Sequence, residues 1–305
     1  MSPTPNPSAQ RAIACVLAAT ASFALLDALT QSISAVVSVV VILWTRYAFQ
    51  VLATGVTLLP RQGRAVLQTR HLGLQLLRGV LLVATSGFAV LSLQHIPVGL
   101  FTAVVMLTPI TLTVVLAVFF RERVSGWRWL LVLLGFVGAL LVVRPGGGSG
   151  SNSNSYGWAA ALPLLTLVAN TGFQLATSRL ARHDTVGTTY LYTGLVGLLL
   201  CSVALAVVGW PELPLATWAL LAFLALLTSA GHLLLILAYG RAPASTVAPY
   251  LYAQVGFATL AGWLLLGQSL DGWALAGIAV ICTAGVAGTQ LKAPLPVAGR
   301  ARAVG

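Results

Sequence analysis

The chain has 305 residues, of which 58% are apolar and only 7% charged, with a formal net charge of +11. A water-facing surface on a protein of this size needs many more charges, which excludes a soluble globular fold. The basic residues are scattered over short segments, so the positive balance does not point to nucleic acid as a partner.

Continuous apolar runs of about 20 residues are long enough to cross a bilayer as helices. Lipid offers no partner for open backbone groups, so helices must supply the crossings. A membrane barrel would alternate apolar and polar residues in short strands, and these runs do not. Met1–Gln10 contains three prolines and is expected to be a disordered tail. The first run reads as an uncleaved span and not a signal peptide, because nine further runs follow it. Predicted spans occupy 12–31, 36–59, 72–93, 97–120 and 127–143. Residues 145–155 form a linker, since Gly146–Ser155 reads GGGSGSNSNS. Further spans are predicted at 157–179, 186–208, 216–239, 244–266 and 272–290, followed by a tail at 292–305. Cys15, Cys201 and Cys282 lie far apart inside apolar runs, without metal-ligand spacing, and read as small core residues.

The two halves, 11–144 and 156–291, look like copies of each other. An offset of 146 places Pro97 on Pro243, Thr113 on Thr259, Gly126 on Gly272 and Trp127 on Trp273. Near the same offset Asp27 and Thr30 fall on Gln174 and Thr177. Five spans per copy is an odd number, so the second copy should lie upside down relative to the first. The expected fold is an all-α polytopic membrane protein of ten transmembrane helices in two inverted five-helix repeats. Inverted repeats of this kind characterise secondary transporters, whose substrate site lies near the midplane between the copies.

Charge sets the orientation. With the N-terminus inside, thirteen Lys and Arg residues fall on the cytoplasmic side and only Arg144 outside, leaving Arg46 and Arg78 within spans. Positive residues favour cytoplasmic loops. Both termini are therefore expected to face the cytoplasm of a cell whose inner membrane holds the protein.

The stretches LLRGVLLVATSGFAVLSLQHIPVG (Leu76–Gly99) and RERVSGWRWLLVLLGFVGALLVVRPG (Arg121–Gly146), with the Thr108–Pro109 step, carry a family resemblance. So does LAYGRAPASTVAPYLYAQVGFATLAGWLLLGQSLDGWALAG (Leu237–Gly277) in the second half. Over residues 12–290 the chain resembles the drug/metabolite transporter superfamily, in its EamA-like group with two five-helix repeats. That resemblance implies a polytopic carrier of amino acids, nucleobases, sugars or drugs. One departure concerns an acidic residue typical after the fourth helix of each repeat: Glu122 has Gln268 as its counterpart.

Ionisable residues in hydrocarbon are costly unless paired or facing a polar cavity, which singles out Asp27, Arg46, Arg78 and His232. Arg78 lies about 10 Å from the cytoplasmic end of its span, so its guanidinium could snorkel or act as a planar donor to an anion. The family's Arg-Gly pair in the third helix, here Arg78-Gly79, favours the second reading. Asp27 and Arg46 lie roughly 24 and 21 Å from the cytoplasmic side, level enough for an ion pair between adjacent helices. His232 is either a structural hydrogen-bonding residue or a titrating one. Asn170 and Gln174 share a helix face, as do Tyr250, Gln254 and Trp263, and these groups either glue helices together or line a cavity. The candidate substrate-binding set is thus Asp27, Arg46, Arg78, Asn170, Gln174, His232, Tyr250 and Gln254.

The leading functional reading is a secondary transporter of small organic metabolites working by alternating access. A polytopic membrane enzyme or receptor acting on a small polar ligand is the alternative. An enzyme would need a nucleophile-base pair, a metal cluster or paired acids, and the sequence offers none. GGGSG follows no strand and carries no Gly-Lys-Ser/Thr signature, so ATP is not implied and no cofactor is expected. The expected partners are a small-molecule substrate and the lipid bilayer. Proton coupling would follow if Asp27 titrates, with uniport or exchange fitting equally well, and a homodimer is compatible with the sequence.

Overall fold

A computed structural model describes residues 7–63, 67–119, 126–143, 157–180, 183–239, 241 and 250–290. Among them every regular element is helical. The first half holds α1 (Pro7–Ile33), α2 (Val39–Gln62), α3 (Leu72–Leu93), α4 (Val98–Val105), α5 (Thr108–Phe119) and α6 (Gly126–Val143). The second holds α7 (Ala161–Leu180), entered through a 3-10 turn at Gly157–Ala160, then α8 (Val186–Val208), α9 (Leu215–Tyr239), α10 (Ala253–Leu266) and α11 (Gly272–Gln290). The linker at 145–155, the tail at 292–305 and Glu122 lie outside the described residues.

Six of these segments are long and apolar enough to cross a membrane: α1, α2, α3, α8, α9, and α7 with its preceding turn. Large apolar side chains such as Leu133, Val203, Val207 and Leu264 stand exposed on the outer surface. In water that surface would drive aggregation, whereas lipid accommodates it without penalty.

Two boundaries differ from the sequence reading. Helix α1 begins at Pro7, within the stretch expected to be an unstructured tail. A proline in the first turn loses no intrahelical hydrogen bond, because that N–H would be unpartnered anyway. The span expected to run unbroken over 97–120 is split into α4 and α5 at Met106 and Leu107. Pro109 has no N–H to give the Val105 carbonyl. The Thr108 hydroxyl takes that carbonyl instead, at 2.5 Å. The second half breaks at Tyr252, the 146-offset mate of Met106.

Packing follows the same exchange of halves. α1 packs along α9 as α7 packs along α3, and α3 meets α8 as α9 meets α2. α1 lies on α10, while α7 lies on α4 and α5; α2 with α8, and α6 with α11, close the symmetric set. Adjacency in sequence does not make α1 and α2 partners: they share no extended interface, because both pack against α9. The interhelix approach is close where glycine permits it. A Cβ on Gly79 of α3 would lie 2.6 Å from the Cβ of Val196 on α8. One on Gly138 of α6 would lie 2.9 Å from the Gly277 carbonyl oxygen on α11.

Polar links tie loops together at both ends of the bundle. At one end, Gly267 adopts the left-handed conformation (φ 64°) that ends α10. The Gln268 N–H then reaches back to the Gly262 carbonyl at 3.0 Å, which aims its side chain across the interface. Gln268 Oε1 accepts from the Val98 N–H at 3.1 Å, and its Nε2 donates to Gln31 Oε1 at 2.8 Å. Gln31 in turn donates to the Ile96 carbonyl at 3.1 Å. The residue that departs from the family's acidic pattern thus caps α4 from the other repeat. At the opposite end, Asp184 accepts from the Thr69 hydroxyl at 2.5 Å and the Gln75 amide at 2.8 Å. Neighbouring Thr185 caps α8, its hydroxyl accepting from the Thr188 N–H at 3.1 Å.

Candidate functional site

Between these two ends lies a cavity of about 250 Å³. Its wall is built from five helices of both halves. α2 contributes Arg46, Tyr47 and Gln50, and α3 contributes Arg78, Leu82 and Ser86. From the second half come Phe173 and Thr177 on α7, Tyr190 and Thr193 on α8, and Thr228, Ser229 and His232 on α9. The spacing explains the grouping: residues four apart share a helix face. Arg46 with Gln50, Arg78 with Leu82 and Ser86, and Thr228 with His232 obey that rule.

The repeat is visible in the wall itself. Ser86 and His232, Tyr47 and Thr193, and Leu82 and Thr228 are each related by the offset of 146, and all six line the same cavity. The cavity therefore straddles the axis that relates the halves.

The two arginines have different surroundings. Arg78 is buried, with 8% of its surface exposed. Its Nε donates to Thr177 Oγ1 at 2.7 Å and Nη1 donates to the Thr189 carbonyl at 3.1 Å. Nη1 also donates to the Thr193 hydroxyl. The guanidinium carbon stands 4.5 Å from the centre of the Phe173 ring, a cation–π arrangement. Arg78 does not snorkel; its fork grips α7 and α8 and joins them to α3. Arg46 is half-buried. Among the described residues nothing accepts a hydrogen bond from it.

His232 sets its Nδ1 2.7 Å from the Thr228 carbonyl, which can only accept, so Nδ1 carries the proton. Its ring meets Phe23 of α1 edge-on at 5.1 Å. Gln50 donates to the Tyr190 carbonyl at 2.9 Å, and Tyr47 donates to Ser86 Oγ at 3.4 Å.

Of the residues expected from sequence, the structure brings Arg46, Arg78 and His232 together in the wall. Asp27 on α1 does not line the cavity. It interacts with Arg46 electrostatically, but the expected ion pair within 4.0 Å is not formed among the described residues. Helices α1 and α2 both run along α9, whose Leu221 and Leu224 join side chains of both in one buried cluster. Asn170 donates to Thr108 Oγ1 at 3.0 Å and so holds α7 at the break between α4 and α5. Gln174, Tyr250 and Gln254 stand outside the wall, Tyr250 with 38% of its surface exposed. Tyr47, Gln50, Phe173, Tyr190 and Thr193 were missed. The signal that could have found several of them is helical spacing from Arg46, Arg78 and His232, projected through the repeat offset.

Long apolar helices, an apolar outer surface and a polar cavity between two matched halves define a multi-pass membrane protein with an internal cavity. Residues 10–144 and 158–289 each match the EamA-like transporter family, and the chain belongs to that family. Its members are transporters, not enzymes. A riboflavin transporter of Rhizobium johnstonii is 32% identical over 60% of this chain and 58% of its own length. A riboflavin transporter of Vibrio cholerae is 28% identical over 59% of this chain and 58% of its own length. An S-adenosylmethionine uptake transporter of Rickettsia bellii is 27% identical over 56% of this chain and 57% of its own length. The chain thus aligns with somewhat over half the length of these relatives. A solved crystal structure shares the fold with a TM-score of 0.62 at 16% identity, covering 91% of this chain and 97% of the other.

Proposed function

We propose that the chain is a secondary transporter of small organic metabolites, working by alternating access in the inner membrane. The observation that carries this reading is the cavity on the junction of the two halves, with repeat-related residues facing each other across it. Counting α4 with α5 as one crossing, and including α6, α10 and α11, gives ten crossings. Five per copy turns the second copy over, and both termini then face the cytoplasm. The relatives named for riboflavin and S-adenosylmethionine support a small organic solute.

In this reading the polar links at the two ends are gates that open in turn. Gln31, Gln268 and Val98 close the outer end, and Thr69, Gln75 and Asp184 close the cytoplasmic end. Rocking one repeat against the other would break one set while the other holds. Vesicles reconstituted with the purified full chain test it. Screened with riboflavin, amino acids, nucleobases and aromatic carboxylates, they should show saturable uptake of at least one solute, accelerated by the same solute trapped inside. Folded, monodisperse protein giving no saturable flux with any class would overturn the assignment.

A further inference from the structure

The cavity contains two cations with opposite circumstances. Arg78 is committed to protein acceptors on α7 and α8 and to the Phe173 ring. Arg46 lines the same cavity and, among the described residues, donates no hydrogen bond and joins no ion pair. A guanidinium carries five N–H donors in a planar fork, so Arg46 is an open fork in a pocket. An unpaired charge at this depth is costly, and the cost is offset when an anion occupies the pocket. Asp27 reaches Arg46 only through space, which leaves the donors uncovered. Among the described residues the lining contains no carboxylate.

The rest of the wall fits a particular shape. Tyr47, Phe173, Tyr190 and His232 supply four rings around a volume of about 250 Å³. Rings recognise flat apolar faces by stacking and edge contacts. That volume is at the small end for metabolite pockets, which bounds the ligand to the scale of a single ring system and one charged group.

We propose that Arg46, and not Arg78, binds the negative group of the substrate, and that the substrate is a small flat-ringed organic anion. This deepens the carrier reading and rests on it. Arg78 acts as a positioning residue that fixes the pocket by holding α3, α7 and α8 together. Arg46 is the substrate-binding residue, its fork turned to one carboxylate.

A matched series separates charge from shape: 4-hydroxybenzoate, 4-hydroxybenzamide and 4-hydroxybenzylamine share a ring and differ in charge at neutral pH. Binding to the purified full chain is measured by calorimetry, and flux by uptake into vesicles. The carboxylate is expected to bind at least tenfold tighter than the amide, and the amine not at all. Arg46→Gln should reduce the carboxylate to the affinity of the amide. Arg46→Lys, which keeps the charge and loses the fork, should retain the order of preference at weaker affinity, and it serves if the glutamine variant does not fold. Arg78→Lys should lower thermal stability without erasing the preference for the carboxylate.

Equal binding of carboxylate and amide, no binding by any of the three, or an unchanged preference in Arg46→Gln would each overturn the proposal. Saturable flux of the amide equal to that of the carboxylate would sink the anion assignment and leave the carrier reading standing. Tight carboxylate binding with no flux of any solute class would do the reverse.

Discussion

At the scale of single residues, Arg78 and Asp184 show how a charge is accommodated on either side of the membrane boundary. Arg78 satisfies its donors with Thr177, Thr189 and Thr193, which belong to two different helices. A lysine ends in one nitrogen and cannot reach both sets while stacking on Phe173. Each charged hydrogen bond lost costs about 1.5–3 kcal/mol. Arg78→Lys should therefore insert normally, melt several degrees lower in detergent and lose most transport, and unchanged melting would show the fork to be dispensable. Asp184 lies in the loop before α8. Burial pushes its carboxyl up, but hydrogen bonds from Thr69, Gln75 and the Arg70 N–H, with the charge of His71, outweigh that and hold it below its ordinary value of 3.8. A carboxyl depressed in the folded state stabilises above its unfolded pKa and stops doing so as pH falls through the folded one. The His183 ring stands 4.6 Å from that of His71 at the same end. The melting difference between the native chain and Asp184→Ala should hold steady from pH 7 to about pH 5 and shrink below about pH 4. A difference that grows on acidification would contradict the assignment.

Among elements, interhelix spacing is set by small residues and breaks by proline. Gly79 lets α3 approach α8 so closely that even a methyl group would meet Val196 at 2.6 Å. Gly79→Ala should therefore cost about 1–3 kcal/mol, the usual penalty for overpacking. Val196→Gly, which removes the atoms in the way, should restore part of the loss. A thermal-unfolding cycle of the two single variants and the double variant reads the coupling directly, and strict additivity would mean the helices simply shift apart. The sequence reads as one span over 97–120, with Pro109 as a residue able to kink it. That the Thr108 hydroxyl would replace the missing donor, and that Asn170 from the other half would lock the break, was not legible there. Both depend on which side chains the fold brings within 3 Å.

For the whole molecule, the arrangement of two copies makes a testable statement about sidedness. Lys and Arg are thirteen to one in favour of the side that holds the N-terminus. The ten crossings proposed above would return the C-terminus to that side. A fluorescent reporter fused to the C-terminus should light up in the cytoplasm, and a phosphatase reporter there should stay silent; the opposite pattern would break the ten-crossing topology. The same exchange of halves that pairs α1 with α9 and α7 with α3 also pairs the cavity-lining Ser86 with His232.

The membrane class and the doubling of the chain were determined by the sequence alone, because both are written in local composition. A run of apolar residues is long enough to span or it is not, and scarce residues such as Pro97, Pro243, Trp127 and Trp273 report a repeat without any knowledge of packing. Arg46, Arg78 and His232 were legible for the same reason, since an ionisable group in an apolar run stands out one position at a time. What each does was decided only by the tertiary structure. Asp27 and Arg46 looked like partners because their helices are consecutive, yet both helices run along α9 and no ion pair forms between the two among the described residues. Asn170 could glue helices or line a cavity on sequence grounds, and in the fold it donates to Thr108 at the break between α4 and α5. Tyr47 and Tyr190 did not stand out in the sequence and line the cavity. Helical periodicity states which residues share a face, but which face meets lipid, another helix or a cavity depends on how all the helices pack. That choice is a property of all the interfaces together.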